Sequence, residues 1–298
     1  MLTELVELPA GEFRMGSTSF YPEEAPIHTV TVGAFAIERY PVTNAQFAEF
    51  VDATGYVTVA ERPLDPALYP GVAAEDLLPG ALVFTPTDGP VDLNDWRQWW
   101  DWAPGAHWRT PFGEGSDIAG KEDHPVVQIA YPDAGAYAAW AGRRLPAEAE
   151  WEYAARATAT TTYSWGEEPR VDGRLMANTW QGQFPYRNDG AQGVGTERWA
   201  GTSPVGAFPP NGFGLFDMIG NVWEWTTTRY STHHVLDAPA SSCCPIPADP
   251  DPTVIQTLKG GSHLCAPEYC HRYRPPARSP QSQDSSTTHI GFRCVVSR

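Results

Sequence analysis

Cys265 and Cys270 are the residues whose type and spacing most invite chemistry. They sit in Gly260-Gly261-Ser262-His263-Leu264-Cys265-Ala266-Pro267-Glu268-Tyr269-Cys270-His271-Arg272-Tyr273-Arg274, a run dense in soft ligands, glycines and cations. Two cysteines five apart lie about 140° apart on a regular helix and on opposite faces of a strand, so they converge only through a turn, which Pro267 suits. A zinc site takes four protein ligands when structural and three when catalytic, and no Cys-x2-Cys pair exists to complete one. Soft thiolates select monovalent copper, for which two sulfurs can suffice and leave room for a third ligand. Spacing alone favours a local disulfide or two unconnected thiols over a metal site, so the setting of the pair has to decide.

Several elements must position that run. Apolar and polar positions alternate around Gly11-Glu12-Phe13-Arg14-Met15-Gly16 and His28-Thr29-Val30-Thr31-Val32, as in short strands of a small sheet. Thr43-Asn44-Ala45-Gln46 fits a capping box, with Phe47, Phe50 and Val51 on one helical face before Gly55. A second helix follows Pro132, with Tyr137 and Trp140 on one face and Gly142 past its end. A third follows Arg144-Leu145-Pro146, where proline starts the helix, Glu148 and Glu150 load its positive end and Arg156 its negative end. Beyond residue 157 the recurrence of Gly, Pro, Asn and Asp predicts irregular backbone, whose carbonyls and amides need partners such as bound cations or aromatic packing. Residues 61 to 120 hold Trp96, Trp99, Trp100, Trp102 and Trp108 and read as an ordered excursion, while the stretch 236 to 252 reads as a mobile loop. No repeat or boundary divides the chain, so one α+β domain over 1–298 with long loops is expected.

The 298 residues carry 36 acids against 20 Lys and Arg, a formal charge of −16 that repels phosphate backbones and anionic membranes and makes nucleic acid a poor partner. Met1-Leu2-Thr3-Glu4-Leu5-Val6-Glu7 lacks the basic and apolar regions of a signal peptide, and no apolar run approaches the ~18 residues of a membrane span. Five cysteines are too few for a disulfide scaffold, and their odd count leaves one without an internal partner. A cytoplasmic protein that does not enter membranes is the expectation.

The run from Gly260 to Arg274, continued by Ala277-Arg278-Ser279, Asp284-Ser285-Ser286 and Gly291-Phe292-Arg293-Cys294, resembles the C-terminal signature of formylglycine-generating enzymes. The likeness extends to Arg144-Leu145-Pro146 through Arg156, Asn211-Gly212-Phe213-Gly214-Leu215 and Gly220-Asn221-Val222-Trp223-Glu224-Trp225, and so covers nearly the whole chain. Of these, the cysteine segment alone separates the enzyme from its wider C-type-lectin-like superfamily. The resemblance implies a fold with little regular secondary structure and a copper-dependent oxidase that converts the cysteine of a Cys-x-Pro-x-Arg motif, chiefly in sulfatases, to Cα-formylglycine. Cys265 and Cys270 match its Cu(I) ligands. The substrate thiolate is implied to join the metal as a third ligand and to lose a β-hydrogen in an oxygen-dependent step, before hydrolysis gives the aldehyde. Ser262, Tyr269 and Trp223 are implied to line that pocket, although turn capping, loop orientation and core packing are the plainer roles for the three. An unfolded or extended sulfatase polypeptide, molecular oxygen and an external thiol reductant are the implied partners.

The resemblance further implies structural Ca2+. Asn178 with the carbonyl of Thr179, Glu197 and the carbonyl of Trp199 match one site, with Glu197 in place of a shorter acid. Asp217, the carbonyls of Gly220 and Val222, and Glu224 match a second. Secretory-pathway relatives carry disulfides whose positions here include Ala155 and Pro275, which leaves Cys294 unpaired and suits a reducing compartment. Adjacent Cys243 and Cys244 read as packing or loop residues. His263 and His271 most simply hydrogen-bond nearby carbonyls, and His289 either lines a peptide groove or satisfies adjacent backbone. Two other readings stand beside the oxidase: a non-catalytic ligand-binding module on the same scaffold, disfavoured by the cysteine pair, and an iron-dependent sulfoxide synthase, disfavoured by the missing helical domain and its histidines.

Overall fold

The computed structural model describes residues 1–68, 70–236 and 246–298. Cys243, Cys244 and most of the stretch expected to be mobile lie outside the described residues.

The N-terminal alternation forms two antiparallel pairings. Strands β1 (Leu5–Leu8) and β4 (Phe35–Glu38) pair and are joined by β17 (Val295–Ser297), while β2 (Gly11–Met15) and β3 (His28–Val32) form a separate hairpin. Helix α1 (Asn44–Thr54) begins at the expected box: the Gln46 amide donates to Thr43 Oγ1 and Gln46 Oε1 accepts from the Thr43 amide at 2.9 Å. Gly55 ends it in the left-handed region at φ 67°. Thr43→Ala removes one half of this box and should cost about 1 kcal/mol, read as a lower urea midpoint with an unchanged slope.

Helix α2 (Tyr131–Trp140) starts one residue before Pro132, and α3 (Glu148–Arg156) starts two residues after Pro146. Proline therefore precedes the α3 cap instead of opening its first turn. The Ala147 amide is satisfied by Glu150 at 2.8 Å, so the acid at the positive end caps the helix directly.

Between 157 and 222 the backbone is largely irregular, as expected. It holds three two-residue ladders: β7 (Arg170–Val171) with β8 (Arg174–Leu175), β9 (Gly182–Gln183) with β10 (Arg187–Asn188), and β11 (Ala191–Gln192) with β12 (Arg198–Trp199). Beyond it irregular backbone still prevails, but it also carries an unforeseen four-stranded sheet in the order β15-β14-β13-β16. Its strands are β13 (Trp223–Arg229), β14 (Ile255–Lys259), β15 (Arg278–Ser282) and β16 (Ile290–Gly291). β13 carries the aromatic and β-branched residues of Trp223-Glu224-Trp225-Thr226-Thr227-Thr228-Arg229, a strand signal that the density of turn residues around it obscures.

One aromatic core gathers Phe47, Phe50, Trp108, Tyr137, Trp225 and Phe292, and a second packs α3 through Trp151 against Phe35, Ile37 and Val295. The Trp-rich excursion is ordered: β5 (Gly80–Phe84) and β6 (Trp100–Pro104) form a hairpin whose Phe84 and Trp99 join Trp180, Phe184, Leu264 and Ala266 in a third cluster. That cluster backs the cysteine run.

Candidate active site

The cysteine run leaves β14 at Lys259 and turns at once. Gly260 and Gly261 have φ of 98° and 72°, and a Cβ on Gly261 would lie 2.8 Å from Tyr273 Cα, so the close return of the chain requires glycine there. The Cys265 amide donates to the Ser262 carbonyl at 3.0 Å and the Cys270 amide to the Ala266 carbonyl at 2.7 Å, which closes the turn across Pro267 that the sequence requires. Trp180 donates its amide to the Cys265 carbonyl at 3.0 Å and ties the loop to the irregular segment.

The outcome is convergence. Cys265 Sγ and Cys270 Sγ lie 3.1 Å apart as free thiols in hydrogen-bond contact. Burial pushes the Cys265 thiol up. The hydrogen bond from Cys265, with Arg272 beside it, outweighs burial at Cys270 and brings that thiol down to about 7. One sulfur of the pair is thus ready to be a thiolate while its partner holds the proton.

The two thiols open into a cavity of about 180 Å3. Ser262, Tyr269 and Trp223 all line it, so the five residues proposed from the sequence share one cleft. Their plainer roles are present too. Ser262 Oγ accepts the Leu264 amide at 3.2 Å, Tyr269 stacks on Phe184 with centroids 4.4 Å apart, and Trp223 belongs to the aromatic core. Phe84, Trp99, Trp100, Phe184, Arg272 and Ser279 also form the wall. Sequence reasoning did not nominate these, although the tryptophan density of the excursion was the available signal for Trp99 and Trp100. His289 lines the cleft, with its ring 4.9 Å from Trp100 and Nδ1 3.0 Å from Thr287 Oγ1. His263 binds the Asn221 carbonyl through Nδ1 at 2.8 Å, the simple role expected, whereas His271 meets the Tyr163 hydroxyl at 3.0 Å and not a carbonyl.

The donor set fits Cu(I). Among the described residues no group of three or more His, Cys, Asp or Glu is placed to hold a metal, which disfavours zinc and non-haem iron, whereas two adjoining soft sulfurs beside a cavity suffice for monovalent copper. The calcium sets divide. Asn178 is buried with Oδ1 lacking any donor while its Nδ2 reaches the Gly201 carbonyl at 3.0 Å, so the first set contains a buried oxygen in need of a cation or proton donor. Around it Thr179 is buried, its carbonyl accepting from Gln181 at 3.2 Å, Trp199 is half-buried, and Glu197 is exposed. In the second set, Gly220 and Val222 flank Asn221, and Asp217 Oδ2 accepts from the Gly206 amide at 2.7 Å; burial pushes its carboxyl up to about 6. Glu224, however, accepts from Arg293 through both oxygens and from Trp151 at 2.7 Å, so its lone pairs are taken. That set does not fit a cation in this arrangement. Cys294 is buried and unpaired, its amide donating to Glu38 at 2.6 Å, and Ala155 is buried in the second core.

Residues 1–298 match the sulfatase-modifying factor enzyme 1-like domain family. The chain belongs to the family of formylglycine-generating enzymes. A formylglycine-generating enzyme of Mycobacterium tuberculosis (strain ATCC 25618 / H37Rv) is 74% identical over 99% of this chain and 98% of its own. Another, from Thermomonospora curvata, is 44% identical over 98% and 93% of the two chains. PvdO from Pseudomonas aeruginosa has a similar structure, with a TM-score of 0.62 and 27% identity, covering 99% of this chain and 95% of that one. The expected fold, sparse in regular structure and rich in ordered loops, is the family's fold.

Proposed function

We propose that this formylglycine-generating enzyme oxidises the cysteine of a Cys-x-Pro-x-Arg segment in sulfatases, with molecular oxygen as acceptor and an external thiol as reductant. The observation that carries this reading is the convergence of Cys265 and Cys270 in the wall of an aromatic cleft. Cys265 and Cys270 are the residues that would hold Cu(I), which would supply one-electron chemistry for the use of oxygen. The chain's own residues do the rest. Trp99, Trp100, Phe184 and Trp223 keep the cleft poor in water, Arg272 favours the thiolate at Cys270, and Ser262 fixes the turn through its bond to Leu264.

The same hairpin face supports a course for the bound peptide. Phe84 pairs with Trp100 and Leu82 with Trp102 in the β5–β6 ladder, so the two rungs share one face. The first rung lines the cysteine cleft, and the second lines a neighbouring cavity of about 540 Å3 together with Asp65, Asp284 and Asp249, the last already paired with Arg62 of the same wall at 3.4 Å. Thr287 bridges Leu82 and Thr288 meets the Phe84 amide at 3.3 Å, so residues 284–289 form a second wall running from Asp284 to His289. An extended substrate spans about 13 Å from its cysteine to its arginine, and Trp102 with Asp284 suits that guanidinium by stacking and charge. Asp284→Asn should raise KM for the peptide roughly three- to tenfold with kcat nearly unchanged. The same loss from replacing the peptide's arginine, with no further loss in the variant, is the supporting pattern. An unaltered KM would remove Asp284 from the groove.

Calcium at the first set would satisfy Asn178 Oδ1. Chelation should then lower the melting temperature of the wild type and leave Asn178→Ala unchanged; equal responses would refute it. A reducing, cytoplasmic setting and one domain over 1–298 complete the proposal. No helix among the described residues is long and apolar enough to cross a membrane. The direct test is to incubate the reduced protein with Cu(I), oxygen, a thiol and a Cys-x-Pro-x-Arg peptide, and to look for a peptide aldehyde by mass and hydrazine trapping. A binding module leaves the peptide unchanged.

A further inference from the structure

The β9–β10 hairpin has two sides. Its tip carries Phe184 in the wall of the cysteine cleft, while Gln181, Gly182, Asp189 and Gly190 line a separate cavity of about 520 Å3. Gly182 stands two residues from Phe184, so at most about 7 Å of chain separates the two walls. The Trp180 amide, bound to the Cys265 carbonyl at 3.0 Å, ties the base of this hairpin to the cysteine turn. The second cavity is thereby held beside the first.

Three exposed guanidiniums line this basin, those of Arg170, Arg174 and Arg198. Arg170 Nη1 donates to the Gly173 carbonyl at 3.1 Å and Nη2 to Gln181 Oε1 at 3.1 Å, and Arg198 Nη1 reaches the Gly190 carbonyl at 3.4 Å. Neutral acceptors such as these orient the groups without cancelling their charge. The acid of the lining, Asp189, faces Arg187 at 3.4 Å. None of the three basin arginines forms an ion pair among the described residues, in a chain where acids outnumber Lys and Arg 36 to 20. A strongly negative molecule thus keeps a patch of uncompensated positive charge next to its cleft.

The cleft lies between ends of opposite sign. On one side the β5–β6 face leads through Leu82 and Trp102 to Asp65 and Asp284. On the other, Phe184, its ring centroid 5.8 Å from that of Phe84, leads to the three arginines. We propose, resting on the oxidation reading above, that the basin receives acidic side chains on the N-terminal side of the target cysteine. With the peptide's arginine at the Asp284 end, its N-terminal flank takes the end that remains. An extended chain advances about 3.3 Å per residue, so the acids that reach the basin stand roughly three to five positions before the cysteine. Guanidinium forks match carboxylates, and the opposite charges of the two ends give the bound chain one direction, because a reversed peptide brings like charges together at both.

The test is fluorescence anisotropy at low ionic strength, with the whole protein and labelled peptides carrying serine in place of the target cysteine. Acids three to five positions before that serine should tighten binding about tenfold over glutamines there, with the gain fading as salt is added. Arg170→Gln/Arg174→Gln/Arg198→Gln should bind both peptides alike, at the wild-type affinity for the neutral one. If that variant fails to fold, Arg174→Glu alone should weaken the acidic peptide at least about threefold and decides. No gain from the acids, an equal gain from acids placed after the arginine, or a gain kept in a folded variant overturns the proposal. Conversion of the matching cysteine peptides is followed in parallel. Lack of aldehyde from every peptide would defeat the oxidation reading, whereas aldehyde with no acidic preference in binding would defeat the basin alone.

Discussion

Cys270→Ser should abolish formylglycine formation, lowering turnover by at least about a thousandfold, and Cys265→Ser should do the same. The serine oxygen is hard and weakly acidic, so neither variant can present two soft anionic donors to Cu(I). The substitutions are nearly isosteric. Cys265 is buried and its carbonyl still accepts the Trp180 amide, so each variant should fold with its cleft intact. Peptide conversion measured beside circular dichroism and copper content separates the causes. The expected pattern is a folded protein with little copper and no product. Full conversion by either variant would show that one thiolate suffices and would dismantle the two-sulfur site.

Glu152→Gln should cost roughly 3–5 kcal/mol in unfolding free energy at neutral pH, because it breaks a buried ionic group from one side only. Glu152 accepts from Lys259 at 3.0 Å, from Arg156 at 2.8 Å and from the Gly16 amide at 2.8 Å, all out of solvent. Burial pushes this carboxyl up, but Lys259, Arg156 and the Gly16 amide together hold it down to about 2. The folded value thus lies below the unfolded one of 4.5. The stabilisation is complete above about 4.5 and is lost as pH falls through about 2. Urea unfolding across pH should show a wide gap between wild type and variant at pH 7 that narrows in acid. A gap below about 1 kcal/mol at pH 7 would refute the assignment. The loss also reaches the site, since Lys259 is the last residue of β14 and leads directly into the Gly260-Gly261 turn.

What the sequence made legible was local. The Thr43 box, the three helices and the Pro267 turn follow from hydrogen-bonding and dihedral rules that act within a few residues, and each formed where expected to within two positions. The sheet of β13 to β16 was hidden because its strands come from segments up to 67 residues apart in a Gly- and Pro-rich background, and tertiary pairing overrides such composition. The site divided along the same line. Cys265, Cys270, Ser262 and Tyr269 lie in one run, and the family resemblance implied their joint place in a pocket. Trp99, Trp100 and Phe84 arrive from a hairpin more than 150 residues earlier, where aromatic density announced order and not a destination. Glu224 shows the converse: the family resemblance implied a cation ligand, and only the placement of Arg293 beside it revealed a carboxylate already filled.

The central claim, that Cys265 and Cys270 act together through one copper ion, is tested most directly by differential alkylation. Reduced protein is titrated anaerobically with Cu(I), treated with iodoacetamide, and mapped by peptide mass spectrometry. One equivalent of Cu(I) should protect both cysteines together, with protection lost in either serine variant. Alkylation of Cys265 and Cys270 that continues unchanged after one equivalent has bound would contradict the account.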